Sequence, residues 1–214
     1  MKRAIPLFAA IFLMGAHEPQ PRMMSFFITS AGSGDGANLG GVEGADKRCQ
    51  DLATAAGAGG MMWHAYLSVA PENGKPAVNA RDRIGTGPWY NAKGVKVAGN
   101  VADLHSDNAK LSKPNSISEK GDTINGRGDT PNTHDVITGS NLDGTLFVGE
   151  GYDNCGNYRG NGAGAVRLGH FDRQGGGDNP TSWNSAHSSR GCSQDNLKAS
   201  GGAGLYYCFG MPRQ

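Results

Sequence analysis

The chain has 214 residues, with 20 basic and 19 acidic side chains and 35 glycines. Leu, Ile, Val and Phe together also number 35, a lean supply of core side chains. The near-zero net charge argues against disorder, which requires charge excess as well as low hydrophobicity. Glycine does not recur at every third position, which excludes a collagen helix. A formal charge of +1 without a basic run speaks against nucleic acid as a partner. Gly, Asn and Asp fill 65 positions whereas Glu fills five, a composition suited to tight turns and long ordered loops.

In chain order, Met1-Lys2-Arg3 precedes an uncharged apolar run from Ala4 to Ala16. The pattern predicts a secretory signal peptide over residues 1–16, with the mature chain starting near His17. The run is too short to span a bilayer, so no membrane span is expected in the mature chain. Its destination is then secreted or periplasmic, an oxidising compartment. Residues 17–24 form a short N-terminal segment, and residues 25–212 are expected to fold as one domain.

Ser25–Ser30 (SFFITS) reads as a strand, followed by a glycine-rich loop from Ala31 to Gly41. Ala45, Cys49, Leu52, Ala53 and Ala56 recur at helical spacing over Gly44–Ala56, ahead of Gly57, and turn Cys49 inward. Trp63, Ala65 and Leu67 alternate with His64, Tyr66 and Ser68 as in a half-buried strand, which places His64 outward. Ile84–Val101 reads as short hairpins around Trp89-Tyr90. Residues 105–135 lose almost all bulky apolar content and form the least ordered-looking stretch. Arg127-Gly128-Asp129 within it is a triplet that glycine abundance produces by chance. Val136–Thr138, Val166–Phe171 and Leu205–Phe209 read as further strands, the last carrying Cys208.

The four cysteines, at 49, 155, 192 and 208, include no Cys-x-x-Cys pair, and an exported chain is expected to join them in two disulfides. Three pairings are open on the sequence. A bridge from Cys49 to Cys208 would close a loop worth roughly 5 kcal/mol in the chain-entropy model, useful support for a thin core.

This order of strand, cysteine-bearing helix, loop-rich middle and cysteine-bearing last strand resembles the C-type lectin-like fold, and more specifically its endostatin branch. Three stretches carry the resemblance: Gly41–Gln50 (GVEGADKRCQ) with Ala65–Ser68 (AYLS); Gly139-Ser140, Gly144 and Cys155; and Cys192 followed by Leu205–Cys208 (LYYC). It implies an α+β fold of short antiparallel sheets with one or two helices and long ordered loops. It also implies nested pairing, Cys49 with Cys208 and Cys155 with Cys192, and a ligand surface between the second and third cysteines. Asp178, Asn179, Trp183 and Asn184 lie in that segment and Glu150, Asp153 and Asn154 just before or at its start, and together they are the candidate ligand-binding set. Carboxylates and amides pair with sugar hydroxyls, and an aromatic face packs on apolar sugar faces. The plain structural reading is that Trp183 is core and the Asp-Asn cluster is turn chemistry.

Calcium-dependent sugar-binding members carry Trp-Asn-Asp before the third cysteine, where this chain has Trp183-Asn184-Ser185. Glu150, Asp153, Asn154 and Asp178 supply oxygens a calcium ion accepts, but at no ligand-loop spacing, so no cofactor is expected. The six histidines are scattered without metal-ligand spacing, and no metal ligand is assigned. No catalytic signature is present; His170 with Asp172 and His187 near Trp183 are the arrangements suited to acid–base work. The expectation is a non-enzymatic exported module that binds a glycan, with adhesion to a cell-surface protein or a structural envelope role as the alternative, and a secreted hydrolase behind both.

Overall fold

The computed structural model describes residues 24–149 and 152–213. The apolar run at residues 4–16, the expected start near His17, and Glu150 lie outside them. The elements follow the order β1 (Phe26–Ile28), α1 (Gly41–Ala55), β2 (Met62–Ala65), β3 (Trp89–Tyr90), β4 (Lys96–Ala98), α2 (Val101–Leu104), β5 (Asp135–Ile137), α3 (Asn154–Tyr158), β6 (Arg167–His170), β7 (His187–Ser188), α4 (Gln194–Ser200) and β8 (Gly202–Met211).

The C-terminal strand β8 organises the molecule. It pairs antiparallel with β1 and β2 and parallel with β5, whose other edge continues through β6 to β7. Both of its faces are buried. Tyr206 and Cys208 face a cluster holding Phe27, Ala45, Cys49, Ala53 and Trp63 beneath α1. Leu205, Tyr207 and Phe209 face a second cluster with Phe26, Tyr66, Trp89 and Trp183. A strand covered on both faces needs apolar side chains at successive positions, which explains the unbroken run LYYCF. The same covering buries Tyr66, and contacts with Ser140 and Ala80 bury Ser68; alternation alone would turn both outward. His64 is half-buried, with Nδ1 2.7 Å from the Arg83 carbonyl.

The fold is mixed α+β with two disulfides, Cys49–Cys208 and Cys155–Cys192, in nested order. Two features of the expected architecture are corrected. The described residues hold four helices rather than one or two, because α4 is anchored by a single buried side chain, Leu197, and α2 and α3 are one-turn elements without apolar periodicity. The main sheet is not purely antiparallel, since β5 and β8 run parallel after a register shift between Asp135 and Val136. Residues 105–135 are irregular but packed: Ala109, Leu111, Ile117 and Ile124 are buried, and Asn91 donates to the Asn115 carbonyl at 2.9 Å. In the Arg127-Gly128-Asp129 triplet, Asp129 pairs with Lys113 and accepts from Gly126 N, which is turn chemistry. No helix among the described residues is long and apolar enough to cross a membrane.

Segment α3 is left-handed. Asn154, Cys155, Gly156, Asn157 and Tyr158 have φ of 51, 55, 60, 51 and 65°. Such backbone costs about 1–2 kcal/mol per non-glycine residue. The Cys155–Cys192 bridge and side-chain bonds to the chain after β2 offset it: Asn157 pairs with both backbone groups of Ala70 at 2.8 and 3.1 Å, and Tyr158 donates to the Ser68 carbonyl at 2.7 Å.

Candidate functional site

The chain between β6 and β7 folds back over the sheet and, with the turn after α2, encloses an open cleft of about 580 Å³. Its walls carry two carboxylates (Asp107 and Asp178), the guanidinium of Arg173, the amide of Asn179 and the hydroxyl of Thr181, while the buried Ser182 hydroxyl is bonded to Asn184 and Ser185. Leu142, 52% exposed, gives the rim an apolar surface.

Four of the expected ligand-binding residues, Asp178, Asn179, Trp183 and Asn184, line this cleft. They differ in what they present. Asp178 is exposed and accepts from Arg167 at 2.7 Å. Asn179 donates to the Ser185 carbonyl at 2.8 Å. Trp183 is 3% exposed and packs on Tyr66 and Tyr207, so its ring faces are core surface rather than a sugar platform. Asn184 is buried, and its Nδ2 donates to Tyr66 Oη and the Asn141 carbonyl. Asp153 and Asn154 belong to α3, where Asp153 accepts from Cys155 N and Asn154 donates to the Ser68 carbonyl.

His105 closes the cleft beside Trp183. Its Nδ1 lies 2.7 Å from the Val101 carbonyl and its Nε2 2.7 Å from Tyr66 Oη. The carbonyl only accepts, so Nδ1 carries the proton and Nε2 receives the Tyr66 hydroxyl. Burial depresses the His105 pKa below the ordinary imidazole value, and the same burial lifts the Tyr66 phenol above its usual range.

Below the cleft the sheet gathers three histidines around one carboxylate. His134 precedes Asp135 at the start of β5; His170, at the end of β6, is the register partner of Asp135; His187 opens β7 opposite Leu168. The three Nε2 atoms lie 3.2, 3.3 and 3.4 Å from the Asp135 carboxylate oxygens, for His134, His170 and His187 respectively. Asp135 is fully buried. Burial alone would raise its carboxyl, but the facing imidazoles hold it below the usual carboxylate range. Asp135 in turn raises His187 above the ordinary imidazole value. Among the described residues, the group of His, Cys, Asp and Glu side chains with donor atoms mutually within 4.8 Å is His134, Asp135 and His170. Among the described residues, Asp153 and Asp178 form no such group with other acidic side chains.

No known family model and no curated protein matches this chain.

The histidines are scattered in the sequence, and positions 134, 170 and 187 meet only through the order β5, β6, β7 in the sheet. The one local signal is His134-Asp135 inside a strand pattern: two polar residues where a buried strand begins. His170 and Asp172, singled out for acid–base work, do not pair with each other. Asp172 instead meets His134 Nδ1 at 3.3 Å and Arg127 N at 2.6 Å.

Proposed function

We infer that the chain is an exported, non-enzymatic binding module of the C-type lectin-like type, which takes a carbohydrate in the cleft between Asp107 and Asp178. The observation carrying this reading is the lining: acceptors, donors and hydroxyls interleaved along an open groove, beside exposed Leu142. Sugar hydroxyls need donors and acceptors together, and an aliphatic rim packs on the C–H face of a pyranose. The nested disulfides and the helix stapled to the last strand support the lectin-like assignment. One wall of the cleft, from Arg173 to Asn184, also lies in the segment between the second and third cysteines, where the resemblance puts the ligand surface.

Calcium has no part in this reading. Asp178 Oδ2 is paired with Arg167 and Asp153 Oδ1 accepts from Cys155 N, so one oxygen of each of these carboxylates is bound within the protein. The acid–base pairs fit a hydrolase poorly as well, since His170 is 1% exposed and Asp172 side-chain oxygens hold backbone amides.

A glycan array with mature protein, run with and without added calcium, tests the proposal. Binding to a restricted set of glycans in both conditions, weakened by Asn179→Ala and Leu142→Ala, is the expected result. An array blank in both conditions, with capture of a cell-surface protein instead, would replace it by the adhesion reading.

A further inference from the structure

We propose that His134, Asp135 and His170 form a zinc site beneath the cleft, with His187 facing the second carboxylate oxygen. The inference stands apart from carbohydrate binding and rests on the geometry of the cluster.

The first observation is an unmet need. Both Asp135 oxygens and His170 Nε2 are buried without a hydrogen-bond partner, although three ring nitrogens stand within 3.4 Å of the carboxylate. A fully buried carboxylate without a hydrogen bond is a costly arrangement. A cation lying between the nitrogens and the oxygen answers both facts. On a tetrahedral centre with bonds of about 2.0–2.1 Å, neighbouring donors stand about 3.3 Å apart, and the observed separations are 3.2 and 3.3 Å for His134 and His170.

The second observation is the proton bookkeeping of the rings. His170 Nδ1 lies 2.8 Å from the Pro180 carbonyl, His187 Nδ1 2.9 Å from the Ser188 carbonyl and His134 Nδ1 3.3 Å from the Asp172 carboxylate. All three partners only accept, so each Nδ1 carries a proton. In a neutral ring this leaves the Nε2 lone pair turned toward the carboxylate, which is the arrangement of a metal-bound histidine held by its outer partner. His134 and His170 lie face to face at 4.4 Å with planes 10° apart, so one ring must turn for both Nε2 lone pairs to converge on a single ion.

Two imidazoles and a carboxylate suit zinc and its transition-metal neighbours, whereas calcium and magnesium prefer oxygen donors throughout. The site also reaches the cleft. Pro180, which accepts from His170, is a cleft wall, and Gly175 presses on the same ring so closely that a Cβ there would stand 2.1 Å from it. Zinc would thus fix the floor of the groove.

Chelator-treated mature protein with intact disulfides, titrated calorimetrically with Zn²⁺, tests this. The expected result is one tight equivalent, a raised melting temperature, and an affinity loss of at least about 100-fold in Asp135→Asn and in His170→Gln. Long-range proton–nitrogen spectra of the wild type provide a readout that does not depend on variants folding: zinc should shift Nε2 of His134 and His170 and leave His64 unchanged. Folded wild type that binds no zinc, unshifted cluster nitrogens, or equal binding by both folded variants would overturn the proposal.

Discussion

Arg167 Nη1 donates to Asp178 Oδ2 across 2.7 Å, joining a guanidinium whose side chain is 3% exposed to a carboxylate that is 71% exposed. This bond ties the sheet to the wall of the cleft. Its two ends are not equivalent. Arg167 also donates to Ser185 Oγ and the Ser185 carbonyl at 3.1 and 3.2 Å and lies over the Phe147 ring. Arg167→Ala, which loses all of these together with a buried stem, should cost about 3 kcal/mol. Asp178→Ala removes a solvated partner and should cost about 1 kcal/mol. Urea midpoints at constant m-value measure both, and equal losses would contradict the asymmetry.

Gly169 in β6 approaches the backbone of the cleft segment so closely that a Cβ would lie 1.9 Å from the Trp183 carbonyl oxygen. Backbone cannot yield there as a flexible side chain would. Gly169→Ala should cost about 3 kcal/mol. At Gly60 nothing lies within 4 Å of an added Cβ, so Gly60→Ala should stay within about 0.5 kcal/mol of the parent. Thermal melts of the two variants make the comparison.

Trp183 is the clearest test between core and ligand platform. Buried among Tyr66, Tyr207 and His105, it should cost about 3–5 kcal/mol on replacement by alanine. A Trp183→Ala protein of parental stability would return its ring to the ligand surface.

His105 carries a pH dependence whose sign follows from its depressed pKa. The unfolded chain takes up the proton first as pH falls below the ordinary value of 6.5. Stability from the neutral ring is therefore complete above that pH and declines as pH falls toward the folded-state pKa. Nuclear magnetic resonance titration should place His105 below 6.5, and Tyr66→Phe, which removes the hydroxyl donated to its Nε2, should raise it.

Much of the frame was legible in the residues. Ala45, Cys49 and Ala53 mark the buried stripe of α1, and Phe26 to Ile28 and Leu205 to Phe209 mark two strands that pair. These signals are local and periodic. The burial of Tyr66 was hidden because a second core cluster covers the face that alternation assigns to solvent, and that of Ser68 because its hydroxyl meets Ser140. Helix α4 was hidden because Leu197 is its one buried side chain, although Ser193, which accepts from Asn196 N, is a helix-start residue. The wall of the cleft followed from the loop between Cys155 and Cys192. The roles of Trp183 and Asn184 as core, and the meeting of three histidines at Asp135, depend on tertiary pairing that no local window contains.

The most direct measurement of the central claim is amide chemical-shift mapping of the mature protein with the glycan that binds best on the array. Shifts concentrated at Asp107, Leu142, Asn179 and Thr181, saturating together, are the predicted result. Saturable shifts confined to the far side of the sheet, around Val42 and Pro76, would contradict the placement of the ligand in this cleft.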